Sequence, residues 1–308
     1  MSRSSKNILS LMENSADEIK AIITRACQLK KQRLVSDPEV LKNRTGVMIF
    51  EKPSLRTRIT FETAINELGG HPINLASDMI GMGRRESVQD IARNLERIVH
   101  LIVARTFSHK TIEELAQYSS VPVINALTDD FHPCQALAFG QTIYERVGDF
   151  KKVNIVFIGD GNNVCKSIMI LCAKLGYNFT LASPVKYTPS ADFINSCKEI
   201  GRASGSRFEF VQDIKTAVKN AHFIYTDVWA SMGQEKEQEI RKMDLSPFQV
   251  NAQVLSLAPS GVYVSHCLPA HRGEEITSDV LDSSNSIAFD EAENRLHVQK
   301  SVIVHLFS

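Results

Sequence analysis

Residues 46–58 read Gly46-Val47-Met48-Ile49-Phe50-Glu51-Lys52-Pro53-Ser54-Leu55-Arg56-Thr57-Arg58. An apolar run of strand length gives way, through Pro53, to a polar segment that opens a helix-like stretch over about 57–69. A strand feeding a helix is the repeating unit of an α/β sheet. The same alternation continues on both sides. Runs at 73–75, 101–104 and 121–125 read as further strands, with helix-like segments at about 86–99 and 109–118 between them. Residues 153–158, 179–182, 208–210, 223–225 and 262–264 repeat the pattern in the second half. The expected architecture is α/β: two doubly wound domains, each with a parallel β-sheet covered by helices. The helical stretch 133–147 and the turn-prone Gly148-Asp149 place the crossover, so domains of 1–147 and 148–289 are expected. An apolar-periodic tail, 290–308, closes back on the first.

Composition narrows the function. The chain has 308 residues, 35 Lys+Arg against 35 Asp+Glu, and a formal net charge of zero. That is room for two modest domains, and there is no global field to hold a polyanion, so no nucleic-acid partner is expected. Any anion must be bound locally. The longest apolar stretch falls far short of the roughly 20 residues of a membrane span. Residues 1–10 lack the apolar core of a secretory signal, so no membrane partner and a cytoplasmic location are expected. Six cysteines at 27, 134, 165, 172, 197 and 267 form no C-x-x-C pair. Reduced thiols are expected, with neither disulfide nor metal.

Open parallel sheets bind ligands beyond the carboxyl ends of their strands. After residues 47–50 come the hydroxyls of Ser54 and Thr57, the forked guanidinium of Arg56, and the free N–H groups of a helix start: a phosphate cradle without glycines. Taken alone, the stretch also suits a capped helix start with two solvated arginines. The run 101–104 delivers Arg105 to the same edge. The run ending at Asn125 leads to His132 and Gln135, three apart, which suit polarising a carbonyl oxygen and orienting an amide NH2. A histidine that caps the core fits that segment equally. Gly159-Asp160-Gly161-Asn162-Asn163-Val164 stands where a dinucleotide fingerprint would, but lacks the third glycine, and its asparagines suit an amino-acid carboxylate or amine. Asp227 follows the run 223–225 and suits an ammonium group, while Trp229 reads as core. In His266-Cys267, neighbours on an extended segment point to opposite faces and no partner acid is evident, which argues against a thiol nucleophile.

Together, Ser54-Leu55-Arg56-Thr57-Arg58, Arg105-Thr106, His132-Pro133-Cys134-Gln135, Asp160-Gly161-Asn162-Asn163, Asp227-Val228-Trp229-Ala230-Ser231-Met232-Gly233, His266-Cys267-Leu268-Pro269 and Glu293-Asn294-Arg295 resemble the ornithine carbamoyltransferase family. The order and spacing match over about residues 5–307. The resemblance implies transfer of a carbamoyl group from carbamoyl phosphate to the δ-amine of L-ornithine, with no cofactor and no metal, in a homotrimer or a multiple of trimers. By similarity, Ser54, the Leu55 N–H, Arg56 and Thr57 hold the phosphate. Arg105 bridges phosphate and carbonyl, His132 donates to the carbonyl oxygen, and Gln135 binds the carbamoyl NH2. The Cys267 and Leu268 carbonyls and Arg295 complete that pocket. Asn163, Asp227, Ser231 and Met232 match the ornithine contacts, and Arg105, His132, Asp227 and Cys267 the catalytic set. Carbamoyl phosphate decomposes readily in water, so two domains hinged near 133–148 are expected to close over the substrates.

Three positions depart from the family pattern. Leu55 replaces a common threonine. Gly81 stands where relatives often carry a glutamine or histidine that reaches a neighbouring subunit, and Phe139 where they often carry an acid. The alternative within the same chemistry is N-acetylornithine, N-succinylornithine or putrescine as acceptor. An intact Ser231-Met232-Gly233 turn and Asp227 argue for a free α-amino group.

Overall fold

The computed structural model describes residues 7–76, 80–83, 85–230 and 237–308. The chain divides into two compact units, Met1–Glu145 with Glu293–Ser308, and Arg146–Ala292. These divisions fall at 145/146 and 292/293, against 147/148 and 289/290 expected from the turn at Gly148 and the periodicity of the tail.

The first unit holds a parallel sheet of β1 (Thr45–Phe50), β2 (His71–Ala76), β3 (Leu101–Arg105) and β4 (Val123–Leu127), in the order β2-β1-β3-β4. All pairings are parallel. Strand β3 is buried along its whole length, as expected of a central parallel strand covered on both faces. Strand β4 starts two residues later than the apolar run suggests, just past Pro122, which has no N–H for a ladder. The helix expected over 86–99 is shorter, Val88–Leu95, and starts where the Ser87 hydroxyl accepts from Asp90 N at 3.0 Å.

The second unit holds β5 (Asn154–Ile158), β6 (Asn178–Ala182), β7 (Phe208–Val211), β8 (Phe223–Thr226) and β9 (Tyr263–His266), in the order β7-β6-β5-β8-β9. One mainly aliphatic cluster in it buries Val156, Ile158, Ile224, Val264 and Ile276 together. Each such side chain contributes roughly 1.5–3 kcal/mol on burial. Helix Asn163–Leu175 is buried almost all round and ends at Gly176, which takes the left-handed conformation, φ 79°.

Both strand orders reverse direction once. In the first sheet the reversal lies between β1 and β3, in the second between β5 and β8. Such switch points open a crevice at the carboxyl ends of the two strands, where open α/β sheets bind ligands.

No helix among the described residues is long and apolar enough to cross a membrane. None of the six cysteines forms a disulfide.

Candidate active site

At the β1/β3 switch point, Ser54 is the N-cap of helix Leu55–Glu67 and its hydroxyl accepts from Thr57 N at 3.3 Å. The segment leading in is fastened to the loop after β3. Glu51 N donates to Arg105 O and the Glu51 carboxylate accepts from Phe107 N, each at 2.8 Å. Lys52, almost fully buried, pairs with Asp129 and lies over the Phe107 ring, 4.5 Å from its centroid. Leu55 points to solvent, so the position that departs from the family pattern costs no packing.

The pairing of β3 with β4 shifts register between Ala104 and Arg105. Such an irregularity re-aims the side chain that follows it. Arg105, 6% exposed, reaches Thr57 Oγ1 at 3.5 Å through Nη1. Arg295, 3% exposed, donates to the same oxygen at 2.9 Å and to Gln135 Oε1 at 2.6 Å. With cations on its acceptor side, the Thr57 hydroxyl is left with its O–H to donate. His132 is buried beside both arginines. Desolvation first, then Arg295 and Arg105, hold its pKa well below 6.5, so the imidazole is neutral near pH 7. Ser54, Thr57, Arg105, His132, Gln135 and Arg295 thus come together in one unit, with Arg56 half-buried on the first turn of the same helix.

A cleft of about 560 Å³ borders this cluster, lined by residues that include Phe50, Ser54, Leu55, Arg58, Ile59 and Ala76. Neither the arginines at 105 and 295 nor His132 lines it. Gly81 adopts φ 61°, and a Cβ there would lie 2.8 Å from Arg85 Cβ. Any side chain at this position would be strained on this backbone. Phe139 is fully buried in helix Pro133–Val147; nothing in the structure explains its replacing an acid.

At the β5/β8 switch point the polarity inverts. Asp227, which follows β8, accepts from Cys267 Sγ at 2.7 Å and from Val228 N at 2.8 Å through Oδ1. Its Oδ2 accepts from Asn162 Nδ2 at 2.7 Å. Asn163 is the first residue of the helix and nearly buried. Asp160 pairs with Arg241 Nη1 at 2.9 Å. Burial raises its pKa from 3.8 to about 6, opposed by Arg241 and assisted by Asp227. Trp229 is buried, as its ring suggested. Ser231 and Met232 lie outside the described residues.

The thiol of Cys267 does have an acid partner, Asp227, which corrects the reading that none was at hand. The two are 40 residues apart and meet only because β8 and β9 are neighbours. His266 is bonded through both ring nitrogens. Its Nδ1 accepts from Leu268 N at 2.8 Å, so Nε2–H donates to Glu275 at 3.0 Å, both side chains being fully buried. Cys267 and Leu268 sit on the turn that this pair shapes, with Leu268 at φ 54°.

Two groups of potential metal ligands occur among the described residues: Asp227, His266 and Cys267, and His271, Glu274 and Glu275. In the first, both His266 nitrogens are engaged elsewhere. In the second, Glu274 is paired with Lys242 and Glu275 with His266.

Sequence reasoning missed Lys52, Glu275, Glu291 and the separate role of Asn162. Glu291 is buried, accepts from Tyr225 Oη at 2.7 Å and bonds Ser265 Oγ, tying the strands that carry Asp227 and Cys267.

A family model described as aspartate/ornithine carbamoyltransferase, carbamoyl-P binding domain, matches residues 6–145. A second, described as the Asp/Orn binding domain of the same enzymes, matches residues 151–306. The chain belongs to the aspartate/ornithine carbamoyltransferase family. Within this carbamoyltransferase family, it is 48% identical over 302 residues to an ornithine carbamoyltransferase of Pyrococcus horikoshii, covering 98% of this chain and 95% of that protein. An ornithine carbamoyltransferase of Archaeoglobus fulgidus is 46% identical over 304 residues, covering 98% of this chain and 97% of that protein. Among solved structures, the ornithine carbamoyltransferase from Pyrococcus furiosus aligns with a TM-score of 0.94 at 46% identity, covering 98% of this chain and 96% of that one.

Proposed function

We propose that this carbamoyltransferase moves the carbamoyl group of carbamoyl phosphate to the δ-amine of L-ornithine, giving L-citrulline and phosphate. The observation that carries the reading is the contrast between the two switch points. One gathers two buried arginines and a neutral histidine around Thr57, while the other presents a carboxylate held by neutral donors. A phosphorylated, carbonyl-bearing donor suits the first and an amine suits the second.

In this proposal the first unit binds carbamoyl phosphate and the second binds ornithine. The first-turn N–H groups of helix Leu55–Glu67, with Ser54, Arg56 and Thr57, hold the phosphate oxygens. Arg105 meets phosphate and carbonyl together. His132, neutral, donates to the carbonyl oxygen, where negative charge develops during attack. Gln135 orients the carbamoyl NH2, its own amide held by Arg295.

Ornithine's δ-amine has a solution pKa near ~10 and must be unprotonated to attack. Desolvation beside fixed cations lowers that value. The amine lone pair forms the new C–N bond, the C–O bond to phosphate breaks, and the proton lost by nitrogen leaves on hydrogenphosphate. Asp227 meets the acceptor's α-ammonium, and Asn163 is assigned to the same substrate. The Cys267 thiol keeps Asp227 oriented.

The assembly is a homotrimer or a multiple of trimers, the location cytoplasmic, and the physiological direction arginine biosynthesis. One relative, from Pyrococcus furiosus, bears the name anabolic ornithine carbamoyltransferase, which favours that direction.

The test is to incubate purified protein with carbamoyl phosphate and, separately, L-ornithine, N-acetylornithine, N-succinylornithine, putrescine and L-aspartate, and quantify each carbamoylated product. Product with ornithine alone supports the proposal. Product with another amine overturns the acceptor assignment.

A further inference from the structure

Asn162 is bonded at both ends of its side-chain amide. Its Oδ1 accepts from Val164 N at 3.0 Å and Cys165 N at 3.1 Å, capping helix Asn163–Leu175. Its Nδ2 donates to Asp227 Oδ2 at 2.7 Å, 65 residues away. Backbone donors on one side and a carboxylate on the other leave one orientation for the amide. Gly161, immediately before it, is locked in turn. Its N–H donates to Tyr187 O at 2.8 Å, and a Cβ there would lie 2.5 Å from that oxygen. Arg241 closes the arrangement from the far side. It pairs with Asp160, stacks over the Tyr187 ring at 5.1 Å and touches the Trp229 carbonyl at 3.4 Å.

We propose that Asn162 is a positioning residue for the acceptor amine: its amide couples the Asp227 carboxylate to the capped start of helix Asn163–Leu175, so that Asp227 meets the acceptor in one fixed orientation. The inference rests on the acceptor reading of Asp227 given above. The amide occupies one face of Oδ2, and the thiol of Cys267 and the N–H of Val228 take Oδ1, so the carboxylate cannot rotate without breaking bonds on both oxygens. Asparagine is suited to this double task because one group must accept from the helix and donate to an anion. Aspartate and serine cap a helix about as well but cannot supply the Nδ2–H.

That difference separates a local structural role from a positioning one. Asn162→Asp keeps the cap and sets a second carboxylate against Asp227, in surroundings that already hold Asp160 with Arg241, Cys267, His266 and Tyr225. Asn162→Ser keeps a cap and adds no charge. Both variants and the wild type are assayed for citrulline at saturating carbamoyl phosphate from pH 5.5 to 9, with melting temperatures recorded alongside. The expected result is a fall of about 10- to 100-fold in kcat/KM for ornithine in both variants. In Asn162→Asp alone, the acid limb of that profile moves upward by about one pH unit, because an added negative charge beside the acceptor favours its protonated amine. KM for carbamoyl phosphate and the melting temperature stay near wild type.

Unchanged ornithine kinetics in both variants, or equal losses for both substrates with a large fall in melting temperature, would overturn the positioning role. A wild type that makes no citrulline would remove the acceptor reading itself and this inference with it. Citrulline from the wild type with unaltered variants would remove this inference alone.

Discussion

Arg295 Nη2 donates to Thr57 Oγ1 at 2.9 Å, across 238 residues of sequence. The same guanidinium holds Gln135 Oε1 at 2.6 Å, so a side chain from the C-terminal helix orders both the cradle after β1 and the polar edge after β4. Replacing it with lysine removes the fork that reaches two acceptors at once. Arg295→Lys is expected to lower kcat/KM for carbamoyl phosphate about 100-fold while leaving KM for ornithine within a few fold. Steady-state kinetics with each substrate varied in turn would check it; an equal loss on both sides would point to general damage.

Cys267 and Asp227 give a second test. Cys267→Ala leaves Asp227 Oδ1 without its thiol donor, and loss of a hydrogen bond to a charged group predicts a decrease of roughly 10-fold or more in ornithine kcat/KM. Cys267→Ser restores an O–H donor and should recover part of it. A serine variant no better than the alanine variant would show that geometry at sulfur, and not donation, is what matters.

Stability near neutral pH reports on His132. Its pKa in the folded protein lies well below 6.5, so between the two values the unfolded chain binds a proton that the folded chain does not. Stability is therefore complete above about pH 6.5 and is lost as pH falls toward the folded value. His297 and His305 are lowered as well and act in the same direction. Asp160, raised from 3.8 to about 6, acts in the opposite direction between those values. Melting curves from pH 7.5 to 5 should show His132→Gln losing less on acidification than wild type. Parallel curves would contradict a buried neutral imidazole.

Lys300 is fully buried and pairs with Asp37 and Glu67, the latter also held by Arg33. Removing the ammonium leaves two carboxylates facing each other. Lys300→Met should therefore cost about 3–5 kcal/mol, measurable by urea unfolding. A change under about 1 kcal/mol would show that the network relaxes or takes up protons.

The alternation of strands and helices was legible because parallel strands buried on both faces leave continuous apolar runs, as in β3 and β5. The order of the strands was not. Nothing in residues 101–105 says that β3 lies beside β1, and it is that adjacency which brings Arg105 to Thr57. The cradle at Ser54, Arg56 and Thr57 could be read because its parts are contiguous, and Arg295 was reached only through resemblance. Asn162 was in plain view within a quoted motif, but its donor role depends on β5 and β8 being neighbours. Lys52 and Glu291 gave no signal because a buried charge looks the same in sequence as a solvated one. The missed acid partner of Cys267 has the same origin, a contact made across the sheet.

The most direct measurement is transfer itself. Purified protein incubated with carbon-13 carbamoyl phosphate and L-ornithine carrying nitrogen-15 at the δ position should yield a ureido carbon coupled to that nitrogen, with phosphate released in equal amount. Label on the α-nitrogen, or decomposition of carbamoyl phosphate with no carbon–nitrogen coupling, would contradict the assignment of a δ-amine carbamoyltransferase.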